Sequence, residues 1–112
     1  MSRESRRLKL QSQLETILGS RNVYFQPPAS FHLKYPCIVY NHTRDSRFHA
    51  DNIPYMEHDE YDLMLITKDP MPDDILEKLS KMPYNRLNRR FVEDNLYHFS
   101  YGLILTERIP ND

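Results

Sequence analysis

The sequence predicts a small α+β domain, in which a mainly antiparallel sheet has two helices packed on one face. Its 112 residues can form one hydrophobic core, and we expect a single domain over residues 1–112. Two segments place apolar residues at helical spacing, and four others have the short apolar or alternating patterns of strands. All eight prolines fall in predicted loops or at the ends of these elements.

The first helix is predicted over about 2–18, within an N-terminal helical region 1–20 that Gly19 terminates. Leu10, Leu14 and Leu18 form its apolar stripe. Basic residues crowd its first turns, which is the unfavourable end for cations in the helix dipole. They are Arg3, Arg6, Arg7 and Lys9. We expect this end either to fray or to offer its charge to a partner.

The second helix is predicted over 71–82, because Pro72 suits a first helical turn and Pro83 ends the pattern. The strands are predicted at 23–26, 37–42, 60–68 and 95–107. Between the second and third strands lie seventeen polar-rich residues, 43–59. So long a connection indicates either a functional loop or an extended hairpin arm.

Both faces of the third and last strands are apolar, at Leu63–Ile66 and Leu103–Leu105. Two short helices can cover only one face of such a sheet. We expect the other face to be covered either by the loop 27–35 or by another subunit, because large apolar patches seldom stay exposed.

Composition and motifs argue against several classes of function. A net charge of −1 does not favour a dedicated nucleic-acid binder. Because Cys37 is the only cysteine, an internal disulfide is excluded, and we expect the chain to be kept in a reducing cytoplasm. The apolar neighbours of Cys37 predict that its side chain is buried. There is no glycine-rich phosphate loop, nucleophile elbow or HExxH motif. We therefore predict no enzyme, no catalytic residue, no cofactor and no metal.

A short pattern, Phe-x-x-Asp-Asn followed by Ile or Leu, occurs twice, ending at Ile53 and at Leu96. Asp and Asn favour turns, so the simplest interpretation is a turn that leads into a strand, used twice. The alternative is a polar or metal site in the long connection. Its candidate ligands are His42, His49, Asp51 and His58. His49 and Asp51 could present two ligands on one side of an extended chain, but no third ligand stands at a characteristic spacing from them.

The sequence contains two charged clusters of opposite sign. The basic cluster comprises Arg86, Arg89 and Arg90, between Tyr84 and Phe91. It indicates a protein interface, a solvated face or a nucleic-acid contact, and we favour the interface. The acidic residues are Glu57, Asp59, Glu60 and Asp62. In a head-to-tail ring, the basic cluster of one subunit would meet the acidic cluster of the next.

Three segments resemble a family of small neck proteins from tailed bacteriophages, described as tail terminators, tail completion proteins or head–tail connectors. They are Tyr24-Phe25-Gln26-Pro27-Pro28, Tyr35-Pro36-x-Ile38-Val39-Tyr40 and Ala50-Asp51-Asn52-x-Pro54-Tyr55. The similarity runs from about Val23 to Leu105 in the same order and spacing.

This resemblance implies a tail-terminator-like fold and a non-enzymatic structural protein of the virion. Such proteins form rings, commonly hexameric, that terminate the tail tube and help to join tail to head. The implied partners are further copies of the chain, the tail tube protein and head–tail connector proteins, with no membrane. DNA would pass through the ring without specific binding. The protein would be assembled in the host cytoplasm and end in the virion.

Two alternatives accompany this expectation: a head-side connector of the same neck, and a small metal-dependent protein that processes nucleic acid. In the ring interpretation Asp51 and Asn52 belong to an arm at the ring surface. The predicted interface residues are Arg86, Arg89, Arg90, Asp51, Asn52, Glu57, Asp59 and Glu60.

Overall fold

The computed structural model describes residues 3–50, 53–82 and 86–108, which form two helices and one five-stranded sheet. The helices are α1 (Arg3–Leu18) and α2 (Asp73–Ser80). The strands are β1 (Val23–Phe25), β2 (Cys37–Ala50), β3 (Ile53–Thr67), β4 (Arg86–Glu93) and β5 (Leu96–Arg108). Their order is β1-β2-β3-β5-β4, with β1 parallel to β2 and the other pairs antiparallel. The predicted α+β class is confirmed.

Both helices pack on one face of the sheet, which we call the helix face. Alternate residues of β3, Tyr61, Leu63 and Leu65, point into this core because side chains of a strand alternate between its faces. The other buried members are Leu10, Leu14, Val23, Ile38, Tyr40, Leu79, Phe99, Tyr101 and Leu103. Each fully buried leucine contributes about 1.5–3 kcal/mol through burial alone. This core is the main source of stability.

The opposite face, which we call the open face, carries a smaller apolar cluster. Cys37, Ile66 and Leu96 are buried there beneath partly buried side chains that include Tyr24 and Leu33. The rings of Tyr24 and Phe31 are 5.0 Å apart. The loop after β1 thus covers this end of the open face, which is the first of the two predicted covers.

β2 and β3 are much longer than the predicted strands, because they continue to pair as far as Ala50 and Ile53. β5 accompanies them, with Arg108 opposite Met56. The chain measures 52 × 27 × 22 Å and has a radius of gyration of 15.5 Å, against about 13 Å for a compact domain of similar length. Residues 43–50 and 53–59 therefore form a hairpin arm, and Asp51 and Asn52 lie outside the described residues.

β4 was not predicted, because this edge strand is mostly polar and exposed. It is joined to β5 by Asp94 and Asn95, whose φ angles of 52° and 62° are both left-handed. Glu93 pairs with Leu96, so these two residues form the whole connection. Two positive φ angles are the signature of a type I′ hairpin turn. The second Phe-x-x-Asp-Asn pattern is therefore a hairpin turn.

We expect Asn95→Val to lower the free energy of unfolding by about 1–2 kcal/mol, because a β-branched residue adopts a left-handed conformation only under strain. Asn95→Gly should leave stability unchanged or raise it, since glycine adopts positive φ without strain. Urea unfolding of both variants beside the wild type measures the difference. Equal stability of the two variants would contradict the left-handed turn.

Candidate functional site

A buried ion cluster joins α1 to the base of the arm. The Arg6 guanidinium donates to Asp59 Oδ2 from Nη2, at 2.9 Å, and from Nε, at 3.3 Å. Nη2 also donates to Glu57 Oε1. Arg6, Glu57 and Asp59 retain 9%, 5% and 0% of their exposure. Charges so far removed from water persist only when paired, so these contacts fix the helix against the strand.

His42 on β2 completes the ion cluster, whose members are Arg6, His42, Glu57 and Asp59. Its Nε2 lies 3.0 Å from Asp59 Oδ1, and its ring is 5.1 Å from that of Tyr61. The backbone N–H of His42 donates to Gln26 Oε1 at 3.1 Å. Both oxygens of Asp59 are thus engaged, and the cluster connects α1, β2 and β3.

A second polar network lies beside the cluster on the same face. Tyr40 donates from its hydroxyl to Gln11 Oε1 at 2.6 Å, and Gln11 Nε2 donates to the Val23 carbonyl at 2.9 Å. The Arg7 guanidinium stacks 4.5 Å from the centre of the Phe25 ring. Burial raises the pKa of Tyr40, so its phenol acts as a neutral donor at physiological pH. Burial, followed by the charge of Asp59, also raises the pKa of Tyr61.

The sequence contained the signal for this cluster. Arg6, Leu10 and Leu14 are spaced by four residues, which places the arginine on the buried stripe of α1. Glu57 and Asp59 stand in the same alternation as the buried residues of β3, and therefore on the helix face. The predicted loop 43–59 obscured that alternation. Two residues of the basic start of α1, Arg6 and Arg7, have partners on the sheet.

The chemistry of the cluster fits anchoring better than catalysis. An Asp–His pair can orient a general base in hydrolases, but such a base acts on a neighbouring nucleophile. Here the described contacts of His42 are Asp59, Tyr61 and Gln26. Cys37 is fully buried on the opposite face, and desolvation raises the pKa of its thiol to about 11.

The two described histidines of the alternative metal site lie on opposite faces of the sheet. His42 contacts Asp59 on the helix face, whereas His58 Nδ1 lies 3.0 Å from Thr106 Oγ1 on the open face. The side chain of His49 and the whole of Asp51 lie outside the described residues. Within the described ranges, no group of three or more His, Cys, Asp or Glu side chains could hold a metal ion.

The predicted interface residues separate into four groups. Glu57 and Asp59 are buried in the ion cluster, where Arg6 binds both. Arg89 and Arg90 are exposed on β4. Glu60 is half-buried on β3, opposite Ile104. Arg86 begins β4 opposite Gly102, and its side chain lies outside the described residues, as do Asp51 and Asn52.

A groove of about 440 Å³ lies on the open face, between the sheet and the loop after β1. Its apolar wall includes Phe31, Leu33, Val39, Met64 and Ile66. Its polar end is formed by Asn41, Asp62 and Ser100. We treat this groove as the second candidate site, because it combines an apolar wall with one exposed carboxylate.

Comparison with known proteins leaves the chain without an assigned relative: no family model matches it, and no curated protein matches its sequence. In the part of the chain that the structure describes, no helix is both long and apolar enough to cross a membrane.

We expect Arg6→Met to lower the free energy of unfolding by about 3–5 kcal/mol, because it removes the guanidinium group that both buried carboxylates bind. Arg7→Met is the matched control, and loss of its stacking should cost only about 0.5–1 kcal/mol. Adding Glu57→Gln and Asp59→Asn to Arg6→Met should recover part of the loss. Urea unfolding measures all four proteins, and similar losses for the two arginine variants would contradict the role of the cluster.

Burial of the Cys37 thiol should make the protein less stable at alkaline pH. Below its ordinary pKa of 9.0 the thiol is protonated in both the folded and the unfolded chain. Between pH 9.0 and about 11 the unfolded chain loses this proton while the folded chain keeps it, so stability falls as the pH rises. The free energy of unfolding should therefore decline less steeply over this range in Cys37→Ala than in the wild type. Parallel declines would contradict burial of the thiol.

Proposed function

We propose that this chain is a structural subunit of the neck of a tailed bacteriophage. Copies of it form a ring, hexameric as is common in the family it resembles, which terminates the tail tube and helps to join tail to head. The proposal combines the sequence resemblance over Val23–Leu105 with the shape and surface of the fold.

The observation that carries the proposal is the arm, which extends the sheet beyond its helical cover and leaves strand edges open. β1 pairs with β2 only from Ile38 to Tyr40, and β4 pairs with β5 only as far as Gly102. Within the described residues, no strand pairs with the outer edges of the arm beyond these points. Open strand edges tend to pair with further chains, so this shape suits a protein that is completed by its neighbours.

The ion cluster supports the same role, because it anchors the arm rather than opening a site for a substrate. A ring subunit needs an arm whose direction is fixed before assembly, so that the next subunit is met at one angle. Arg6 supplies this constraint through Asp59 and Glu57 at the point where the arm leaves the core.

The exposed arginines fit a protein interface better than a grip on DNA. The guanidinium groups of Arg89 and Arg90 lie 4.6 Å and 5.6 Å from the ring centres of Phe91 and Phe99. The net charge of the chain is −1, whereas a channel lined by free cations would bind passing phosphates in a salt-dependent way.

We expect inactivation of the gene for this chain, in the phage that carries it, to yield unjoined heads and tails, with tails of irregular length in electron micrographs. Wild-type protein supplied from a plasmid should restore infectious particles, and so should the exposed-loop control Lys34→Ala. Arg6→Met should restore far fewer, because the arm loses its anchor.

The form of the defect separates the two neck roles. Tails of normal length beside heads that lose their DNA would assign the protein to the head side. A normal yield of infectious particles without the gene would contradict a neck role of either kind.

A further inference from the structure

The polar end of the groove carries a carboxylate without a partner. Asp62 is exposed on the open face, and makes no hydrogen bond or ion pair with any other described residue. Gly102 stands directly opposite it on β5, so no side chain from that position covers it. Asn41 and Ser100 lie beside it in the groove wall. This end of the groove is suited to a guanidinium group, which a carboxylate binds through two hydrogen bonds.

The β4 edge offers the complementary chemistry. Arg89 and Arg90 are exposed and have no acidic partner among the described residues, where their contacts are aromatic rings. Val92, which follows on the same strand, is 62% exposed. Arg89 pairs with Ser100 and lies on the open face, whereas Arg90 and Val92 pair with Phe99 and Tyr97 and lie on the helix face.

The groove lies over β2 and β3 and extends to Ser100 on β5, next to the loop that follows β1. β4 is the last strand of the sheet, so its outer edge faces away from the other strands and from the groove. One molecule therefore cannot bring its own β4 edge into its own groove. A contact between two different surfaces of identical chains is heterologous, and it closes into a ring when the rotation between copies allows.

We propose that the β4 edge of one copy docks in the open-face groove of the next copy. Arg89 of that edge, whose side chain lies on the open face, binds Asp62 of the next copy. This inference rests on the ring assembly proposed above, and it identifies the contact that joins neighbouring subunits.

Charge reversal tests this contact by light scattering of the purified full chain over a range of concentrations. Asp62→Arg, and separately Arg89→Asp with Arg90→Asp, should raise the concentration needed for assembly by about 30-fold or more, as expected when a close charge pair is broken at an interface. The three substitutions combined in one chain should restore assembly, because the charges are exchanged. Asp74→Arg and Arg21→Asp are matched reversals elsewhere on the surface, and should assemble like the wild type.

The outcomes separate this contact from the wider proposal. Assembly that both reversals leave intact would overturn the docking of β4 in the groove and leave the neck role standing. Assembly lost in the reversals and not regained in the combined variant, with thermal unfolding unchanged, would also overturn it. A wild-type chain that stays monomeric at every concentration would overturn self-docking, while the gene inactivation described above would still decide the neck role.

Discussion

The burial of Arg6 against Asp59 and Glu57 is the constraint on which the arrangement of helix and arm depends. Buried ion pairs often contribute little net stability, because desolvation of the charges offsets their attraction. Their influence is on position. If α1 slid along the sheet by one turn, about 5.4 Å, so that Leu10 took the place of Arg6, an apolar side chain would face Asp59 and the guanidinium group would move away from both carboxylates. The hydrophobic core tolerates small shifts of a helix, whereas this cluster accepts one register.

The sequence revealed those parts of the fold in which burial imposes a period. The apolar stripe of α1 and the alternation of β3 from Tyr61 to Leu65 can both be predicted from the spacing of apolar residues in the sequence. The arm and β4 leave no such pattern in the sequence, because water or a partner reaches their faces and their side chains need not be apolar. Their pairing is set by backbone hydrogen bonds and, between β4 and β5, by a two-residue turn. The doublet Asp94-Asn95 was the available signal, since these residue types adopt left-handed conformations most readily.

The candidate sites could be predicted only in part. The basic start of α1 stood out as electrostatically unfavourable for a free helix, but its partners were hidden because the acidic residues appeared to belong to a loop. An apolar second face was predicted from Leu63–Ile66, yet the shape of its groove depends on the path of the loop after β1. That path begins at Gln26, whose φ of 46° could not be inferred from residue type.

Gln26 also limits how far the sheet extends beside β2. Its backbone N–H donates to the Tyr40 carbonyl, and its side-chain oxygen accepts from the His42 N–H, so an amide side chain occupies the place of a further strand residue. Pro27 and Pro28 follow and offer no N–H groups. The edge of β2 beside the core is therefore closed to a further strand, whereas in the described residues its edge along the arm is not. The part of the sheet that carries the core is thus completed by the chain itself.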